Sequence, residues 1–428
     1  MLKNIFKFAW RNIWRNKRRT ALTLLALVIG ISCVVFARSY VAGLMNTVTE
    51  SLVKMQTGHV RIAHKEYLRM ERILPKEFMV EGSEKINTAL QKDKEIDMRL
   101  FSQRVKFHVM MSHGDYNESG IAVGIDTMAE EKNLKLSGSI VSGSYFKGED
   151  PGLNMIIGSK LAKKLNLKVN DELLLVTTDI NFSTYALPFN VAGIYETGFS
   201  TMDKLMLYIP LKHARKMLDC GTASHDVLVY LNDPSKAVAA AKKIKAMIGA
   251  EAGGGEISVV PWQEDGMIAD TLPMMQSVYG KMLGIIILVV ALVILNTMLM
   301  AVMERYHEIG VMKAMGFKNR ESFMMIMVEA LYIGVIGSLT GGILGGSFAA
   351  YLEKTGFDFS KMMDETVMEK VDMPIPIFGT MLYPDFSAVI FVTSVIFGII
   401  VTLLAVIYPA MKSSRMQPVD AFRSQLSI

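Results

Sequence analysis

The sequence predicts an α-helical membrane protein that combines four transmembrane helices with a large mixed α/β extracytoplasmic domain. Hydrophobic residues make up 51% of the 428 residues and charged residues only 20%, against roughly 25% in soluble domains. Four apolar segments approach the about 20 residues that cross a bilayer as a helix. A stretch of mixed polarity, residues 44–280, separates the first of these segments from the second. The chain has only two cysteines, which excludes a disulfide-stapled secreted scaffold.

The apolar segments are predicted to be transmembrane helices at residues 20–43, 281–303, 322–351 and 386–408. The first is uncharged from Thr20 to Ala37 and continues past Arg38. Each must be helical, because lipid offers no hydrogen-bond partners for backbone N–H and C=O groups. The first segment is longer than the apolar part of a signal peptide, and no small-residue cleavage pattern follows it, so we interpret it as a retained anchor.

The positions of Lys and Arg beside the spans predict the orientation. Residues 1–20 contain seven of them and no acid, and residues 304–321 contain four. Residues 352–385 contain three lysines against seven acids. We therefore expect a cytoplasmic basic helix at 1–19, a cytoplasmic segment at 304–321 and a cytoplasmic tail at 409–428. Residues 44–280 and the loop 352–385 are expected outside.

The outer domain is predicted to be a split α/β unit that carries a β-rich insert. Residues 58–63, 226–231 and 257–262 have the composition of strands. Asp233-Pro234-Ser235 is a helix start. Ala237, Ala241, Ile244 and Ile248 would form one apolar face of that helix, which is expected to stop at Gly249. In the middle, 173–178 and 186–195 flank a turn at 178–183, which predicts a hairpin.

No residue pattern supports catalysis, a cofactor or a metal. A phosphate-binding loop needs Gly-x4-Gly-Lys-Ser/Thr, but Gly280-Lys281 is followed by Met282 and has no glycine five residues before it. The seven histidines are scattered and neither cysteine belongs to a Cys-x-x-Cys pair. We expect no catalytic, cofactor-binding or metal-binding residues in this chain.

The N-terminal residues predict an amphipathic helix at the membrane surface. Aromatic and apolar side chains recur there at helical spacing, and basic residues occupy most other positions. The residues assigned to the interface are Phe6, Trp10, Trp14, Arg15, Arg18 and Arg19. Flanking positive charge with interfacial tryptophans explains most of this pattern. A specific force-bearing role for the helix is the alternative.

The third span contains two features of interest. Small residues at intervals of four allow helix backbones to approach closely in lipid, and the residues with this spacing are Gly337, Gly341, Gly342, Gly345 and Gly346. Their partner is either another helix of this chain or a second subunit. Glu329 is an intramembrane acid, which suggests function by default. Capping or snorkelling near the cytoplasmic surface is the alternative for Glu329.

The segment between the second and third spans is short, and we predict that it is helical. Exposed Ile, Val and Met on so short a loop favour a docking element over a solvated connector. Small residues would allow a partner to approach and charges would set its register. The residues assigned to docking are Glu304, Arg305, Glu308, Ile309, Gly310, Met312, Ala314 and Gly316.

Taken together, these pieces resemble the permease subunits of MacB/LolC/LolE/FtsX-type ABC transporters, also called type VII or mechanotransmission systems. The resemblance covers essentially the whole chain. It includes the basic stretch from Trp10 to Arg19 and the Pro418-x-x-Ala421-x-Arg423 pattern of the tail. Its most specific part is Glu304-Arg305-x-x-Glu308-Ile309-Gly310-x-x-x-Ala314-x-Gly316, which is similar to the coupling segment of the family.

The resemblance implies how such a chain works. Two permeases, identical or related, pair in the bacterial inner membrane, and a separate ATPase that binds ATP and Mg docks on the coupling segments. Its cycle moves the periplasmic domain, without substrate crossing a central pore. The domain is implied to be a porter-like α/β unit, about 44–118 plus 226–272, with the β-rich insert at about 119–225. Membrane lipids are expected partners, and nucleic acid is not.

Within the family, the sequence most resembles the lipoprotein-releasing branch. Gly58-His59-Val60-Arg61-Ile62 and the run from Phe189 to Gly198 are similar to that branch. Extraction of lipoproteins is therefore the implied activity, although the turn between Thr178 and Pro188 is shorter than the hook that recruits a periplasmic chaperone. The alternatives are a MacB-like efflux or peptide-export permease with a periplasmic adaptor, and an FtsX-like signalling protein that activates a cell-wall hydrolase.

Overall fold

The computed structural model describes residues 2–15, 17–93, 95–148, 151–197, 200–251, 256–358 and 381–415. These residues form two compact units. The membrane unit contains residues 2–46, 274–358 and 381–415, and the α/β unit contains residues 47–273. The division falls within two of the long helices.

The described α-helices are α1 (Leu2–Arg15), α2 (Lys17–Leu52), α3 (Lys65–Arg69), α4 (Ser83–Lys92), α5 (Thr127–Leu134), α6 (Ser159–Lys164), α7 (Ser200–Leu205), α8 (Leu211–Leu218), α9 (Ala237–Glu251), α10 (Gly266–Met303), α11 (Tyr306–Ala314), α12 (Asn319–Thr355) and α13 (Ala388–Arg415). The described strands are β1 (Val60–His64), β2 (Met98–His113), β3 (Tyr116–Ile125), β4 (Ile140–Gly143), β5 (Asn154–Gly158), β6 (Glu172–Thr178), β7 (Thr184–Tyr195), β8 (Met206–Pro210), β9 (Asp226–Leu231), β10 (Ile257–Pro261), β11 (Phe357–Asp358) and β12 (Met381–Leu382).

Four helices of the described chain, α2, α10, α12 and α13, are long and apolar enough to cross a membrane. Each predicted span falls within one of them, except that residues 386–387 precede α13. The helical prediction for the apolar segments is therefore confirmed. Inside the membrane unit these helices share one buried apolar cluster, to which α2 contributes Leu27 and Ile31 and α10 contributes Ile294. Arg38, the charge within the first span, donates to the hydroxyls of Thr393 (2.7 Å) and Ser394 (3.0 Å) on α13.

The glycines of the third span are packed against two other helices of the same chain. A Cβ at Gly341 would lie 2.7 Å from the carbonyl oxygen of Val28 on α2. A Cβ at Gly342 would lie 2.9 Å from the ring of Phe391 on α13. Because real Cβ contacts are not that short, only glycine permits these approaches. Of the two partners that the sequence left open, the contact within the chain is the one observed.

The α/β unit is built on one antiparallel layer and one closed ring of strands. In the layer, β1 lies between β10 and β9, and β9 pairs with the first half of β2. Its core contains the four residues predicted for the apolar face of α9, namely Ala237, Ala241, Ile244 and Ile248. That helix begins after a 3₁₀ turn capped by Asp233, as predicted. It ends at Glu251 rather than at Gly249, because a single glycine is tolerated within a helix at modest cost. The glycine run 253–255 lies outside the described residues.

The strands of the β-rich insert close into a ring together with the second half of β2, which lies before residue 119. The second half of β2 pairs with β3 and with β6. From β3 the pairing continues through β8, β5 and β7 back to β6. A closed ring leaves these strands fewer open edges, and its buried cluster includes Phe107, Phe189 and Leu207. The predicted hairpin is confirmed as β6 and β7, joined by a turn at 179–183. Residues 184–188 belong to β7.

Arg104 holds the end of a helical segment against the ring. Its side chain is 2% exposed and makes two parallel hydrogen bonds, of 2.7 and 2.8 Å, to the carboxylate of Glu130. It also donates to the backbone carbonyl of Met55, which lies in the π-helical turn Val53–Thr57 that follows α2. The hydroxyl of Tyr230 donates to the neighbouring carbonyl of Lys54, at 2.9 Å. Carbonyls at the end of a helix need such donors.

A second buried arginine forms ion pairs with acidic residues from three parts of the α/β unit. Arg61 on β1 lies 2.7 Å from Asp226, 2.6 Å from Glu71 and 3.1 Å from Asp265. Lys106 adds a contact of 2.9 Å to Asp226. Burial alone would raise the pKa of the Asp226 carboxyl, but the charges of Arg61 and Lys106 outweigh burial and lower it. The cluster is therefore an internal charge network with its members paired.

Candidate functional site

The segment predicted to dock a partner is a short helix between two membrane helices. It begins after Arg305, whose N–H bonds the carbonyl of Val302 at 3.1 Å. It ends at Ala314, and Gly316 follows with φ +97°, a conformation that favours glycine. The helical prediction is confirmed. Gly316 therefore allows the chain to turn directly into α12.

A chain of charged side chains connects this segment to two other helices of the membrane unit. Arg15, at the end of α1, lies 2.6 Å from Glu308. Glu308 also contacts Arg305 at 3.4 Å, and Arg305 donates to Glu329 on α12. Burial raises the pKa of Glu308, but the hydrogen bond from Arg15 and the charge of Arg305 reverse this and lower it. The basic partner that Glu308 needs is thus supplied by the chain itself.

The segment also contacts the end of the fourth span. The ammonium group of Lys313 donates to the backbone carbonyl of Ser414 at 2.7 Å. Burial lowers the pKa of Lys313. The last carbonyls of a helix lack partners within the helix, and a cation there also meets the negative end of the helix dipole. Lys313 therefore attaches the segment to α13.

The predicted docking residues divide into a buried group, an exposed group and the half-buried residues Glu308 and Met312. Arg305, Ile309 and Gly310 are buried, and Met312 packs against the core of the membrane unit. Glu304, Ala314 and Gly316 are exposed. Two further exposed apolar residues, Val311 (36%) and Met315 (69%), lie on the same segment. Hydropathy alone did not single them out, because a core residue and an exposed apolar residue look alike in sequence.

The N-terminal helix packs on the third span. The rings of Phe6 and Trp10 meet the ring of Tyr332 edge to face, with centroids 6.3 and 5.3 Å apart. Both aromatic residues stay about 40% exposed, so the same face also offers apolar surface. Arg18 is exposed. The side chains of Trp14 and Arg19 lie outside the described residues. Tyr332 was not identified from sequence, since an aromatic residue in a span usually indicates only membrane burial.

A small cavity lies beside the ion pair of Arg305 and Glu329. Its volume is about 30 Å³, and the first span lines it with Thr20 and Thr23. Among the described residues, no three His, Cys, Asp or Glu side chains come together as metal ligands would. The cavity is therefore a small gap in the packing between helices rather than a substrate pocket.

Four apolar helices, a short helix between the second and third of them, and an α/β domain are the architecture of a multi-pass membrane permease with a periplasmic-type domain. Residues 20–247 match the MacB-like periplasmic core domain, and residues 280–418 match the FtsX-like permease C-terminal family. The first match alone covers more than half of the chain. The chain therefore belongs to the MacB/LolC/LolE/FtsX family of ABC transporter permeases, and the predicted family is confirmed.

Relatives come from two branches of that family. The lipoprotein-releasing system transmembrane protein LolC of Xylella fastidiosa is 23% identical over 322 residues, which cover 72% of this chain and 74% of LolC. The pyoverdine export ATP-binding/permease protein PvdT of Pseudomonas savastanoi is 24% identical and covers 97% of this chain. The macrolide export ATP-binding/permease protein MacB of Wolinella succinogenes is 24% identical and covers 98%. The chain spans only 59% of that PvdT and 60% of that MacB.

Proposed function

We propose that this chain is the transmembrane permease subunit of an ABC transporter whose ATPase is a separate protein. The observation that carries the proposal is the coupling segment, a helix that contacts side chains of α1 and α12 and a backbone carbonyl of α13 and still presents exposed apolar residues. Two relatives are named ATP-binding/permease proteins, and this chain matches about 60% of each. Its sequence has no phosphate-binding loop. We assign nucleotide binding and hydrolysis to an ATPase that docks on the coupling segment.

We place the chain in the inner membrane of a bacterium with both termini in the cytoplasm. The asymmetry of Lys and Arg supports this orientation, and the periplasmic-type domain accounts for residues 44–280. The segments 1–19, 304–321 and 409–428 then share the side on which ATP is available. A second permease subunit, identical or related, completes the transporter.

The cargo class that we propose is lipoproteins that are extracted from the inner membrane. The LolC likeness and the motifs around Gly58 and Phe189 support this branch. The turn at 179–183 is short, so a partner permease would recruit any periplasmic chaperone. Export of a small molecule or peptide through an adaptor is the second candidate, because the PvdT and MacB relatives match nearly the whole chain.

The proposed mechanism begins at the exposed part of the coupling segment. Val311 and Met315 are suited to an apolar pocket of the ATPase, and Glu304 is suited to a basic residue at its rim. Closure of the nucleotide domains would displace the segment, and the membrane helices would carry that displacement to the periplasmic domain. Gly310 cannot be the contact itself, because it is buried within this chain.

The test is copurification of the ATPase with a tagged permease from native membranes. Met315→Glu places a charge where the pocket is expected, and we expect at least about tenfold less ATPase to be retained, which corresponds to about 1.4 kcal/mol. Met411→Glu is the matched control, since Met411 is 41% exposed on α13 and lies outside the segment. It should retain the ATPase.

Identification of the copurifying proteins separates the two candidate functions. Lipoproteins would support release from the membrane, whereas a periplasmic adaptor with an outer-membrane channel would support export. A cell-wall hydrolase would favour the signalling alternative. If the wild-type chain retains no ATPase, or if Met315→Glu retains as much as the control, the coupling role is wrong.

A further inference from the structure

We propose that Arg305 and Glu329 are positioning residues that lock the coupling segment to the third span. Any displacement of the segment then becomes a displacement of the span. The inference rests on the proposed function, in which the segment receives the motion of an ATPase. It assigns a structural task to the intramembrane acid Glu329, whose sequence context allowed either a functional role or capping near the surface.

The pair is shielded from water. Arg305 is 6% exposed and Glu329 is 5% exposed, and Nη1 of Arg305 donates to Oε2 of Glu329. The cavity beside them has a volume of about 30 Å³, which is room for a water molecule but not for bulk solvent. Salt screens such a pair only weakly. Separating the charges would leave the Glu329 carboxylate buried without this partner, which is strongly unfavourable.

The neighbouring ion pair, between Arg15 and Glu308, is much more exposed to solvent. Arg15 and Glu308 lie 2.6 Å apart, but their side chains are 58% and 32% exposed. Exposed pairs contribute little stability and exchange partners easily. The N-terminal helix is therefore held to the segment by a contact that can be released. The buried contact between Arg305 and Glu329 is expected to stay intact when the segment moves.

The third span packs closely on neighbouring parts of the membrane unit, so its displacement would also displace them. Gly341 and Gly345 lie against the backbone of α2, while Gly342 lies against side chains of α13 and Gly346 lies against the ring of Phe386, just before α13. Helices in backbone contact cannot slide without breaking that packing. A shift of α12 is therefore passed to its neighbours in the membrane unit.

The surroundings of Glu329 do not suit transport of protons or ions. Such a path needs a series of ionisable groups. Among the described residues that line the cavity, Arg305 and Glu329 are the only charged ones, and the others are threonines and apolar residues. Glu329 is a partner for Arg305 rather than a member of a relay.

The experiment measures whether the segment and the span move as one body. Spin labels are attached at Val311→Cys on the segment and Ile343→Cys on the span, which are 36% and 57% exposed. Cys33 and Cys220 are replaced by Ala. Distances between the labels are measured by double electron–electron resonance on the full chain in nanodiscs without the ATPase, because the label at Val311 occupies the proposed docking surface.

We expect one narrow distance distribution in the parent protein. The double variant Arg305→Met/Glu329→Leu removes both charges without leaving either one unpaired, so it should fold. Its distribution should be at least about twofold wider, because the buried charged contact between the segment and the span is then lost. Arg15→Gln is the control and should keep the narrow distribution.

A narrow, unchanged distribution in the double variant would overturn the inference, and so would equal broadening in Arg15→Gln. The measurement on the chain alone needs no ATPase. Failure of the proposed function, seen as the absence of any copurifying ATPase, is therefore distinguishable from failure of this inference.

Discussion

Replacing Gly345 by alanine should weaken the packing between the third and first spans. A Cβ at this position would lie 2.6 Å from the carbonyl oxygen and 2.8 Å from the Cα of Ser32. All the near atoms belong to the backbone of α2, so no flexible side chain can move aside. The two helices would have to separate by several tenths of an ångström along their contact.

The cost can be estimated against a glycine in open surroundings. Overpacking a close-packed interior costs about 1–3 kcal/mol, whereas alanine gains about 1 kcal/mol over glycine in helix propensity. Gly284 on α10 is the matched control, because a Cβ there would meet nothing within 4 Å. Gly284→Ala should therefore show the gain in helix propensity without the cost of overpacking. Gly345→Ala should therefore be less stable than Gly284→Ala by about 1–3 kcal/mol.

The measurement is thermal unfolding of the purified chain in one detergent, followed by size-exclusion fluorescence. The expected difference is a midpoint roughly 2–12 °C lower for Gly345→Ala than for Gly284→Ala, from about 2–4 °C per kcal/mol. Gly345→Leu should be worse and should lose the assembled complex on a native gel. Equal midpoints for the two alanine variants would refute the argument that the third span is held by close backbone contact.

Two further predictions concern the α/β unit. A fragment of residues 47–273 should be soluble without detergent, because the described core of this unit is closed by its own strands and helices; recovery only in detergent would contradict its independence. Acid should destabilise that fragment through His225. Burial, with a smaller effect from Lys106, lowers the pKa of His225 to about 4, while Asp226 opposes the shift. The unfolded chain therefore binds the extra proton first, and stability should fall by up to about 3 kcal/mol as pH drops from about 6.5 to about 4. His225→Asn should flatten this part of the urea-unfolding profile, since it keeps an acceptor for the N–H of Lys106; an unchanged slope would disprove the assignment.

The candidate site was only partly readable from the sequence. The motif from Glu304 to Gly316 located the short helix between the second and third spans, because it combines charge, small residues and a glycine just after the helix end. It could not separate the docking residues from the core, since Ile309 and Met315 are equally apolar. Only the structure shows that Ile309 is 2% exposed and Met315 is 69% exposed.

The sequence by itself determined the features that depend on local physics. A bilayer requires long apolar helices, so four spans follow from hydropathy and length. The helix that begins at Ala237 follows from the periodicity of its apolar residues, and the hairpin turn at 179–183 follows from turn chemistry.

Tertiary structure decided the features that depend on which surfaces meet. The rotation of α12 directs Gly341 and Gly345 to α2 and brings Glu329 to Arg305. The closure of six strands into a ring joins residues far apart in the chain, as in the pairing of β2 with β6. Such partnerships arise from the summed packing of many side chains, and no local pattern in one sequence specifies them.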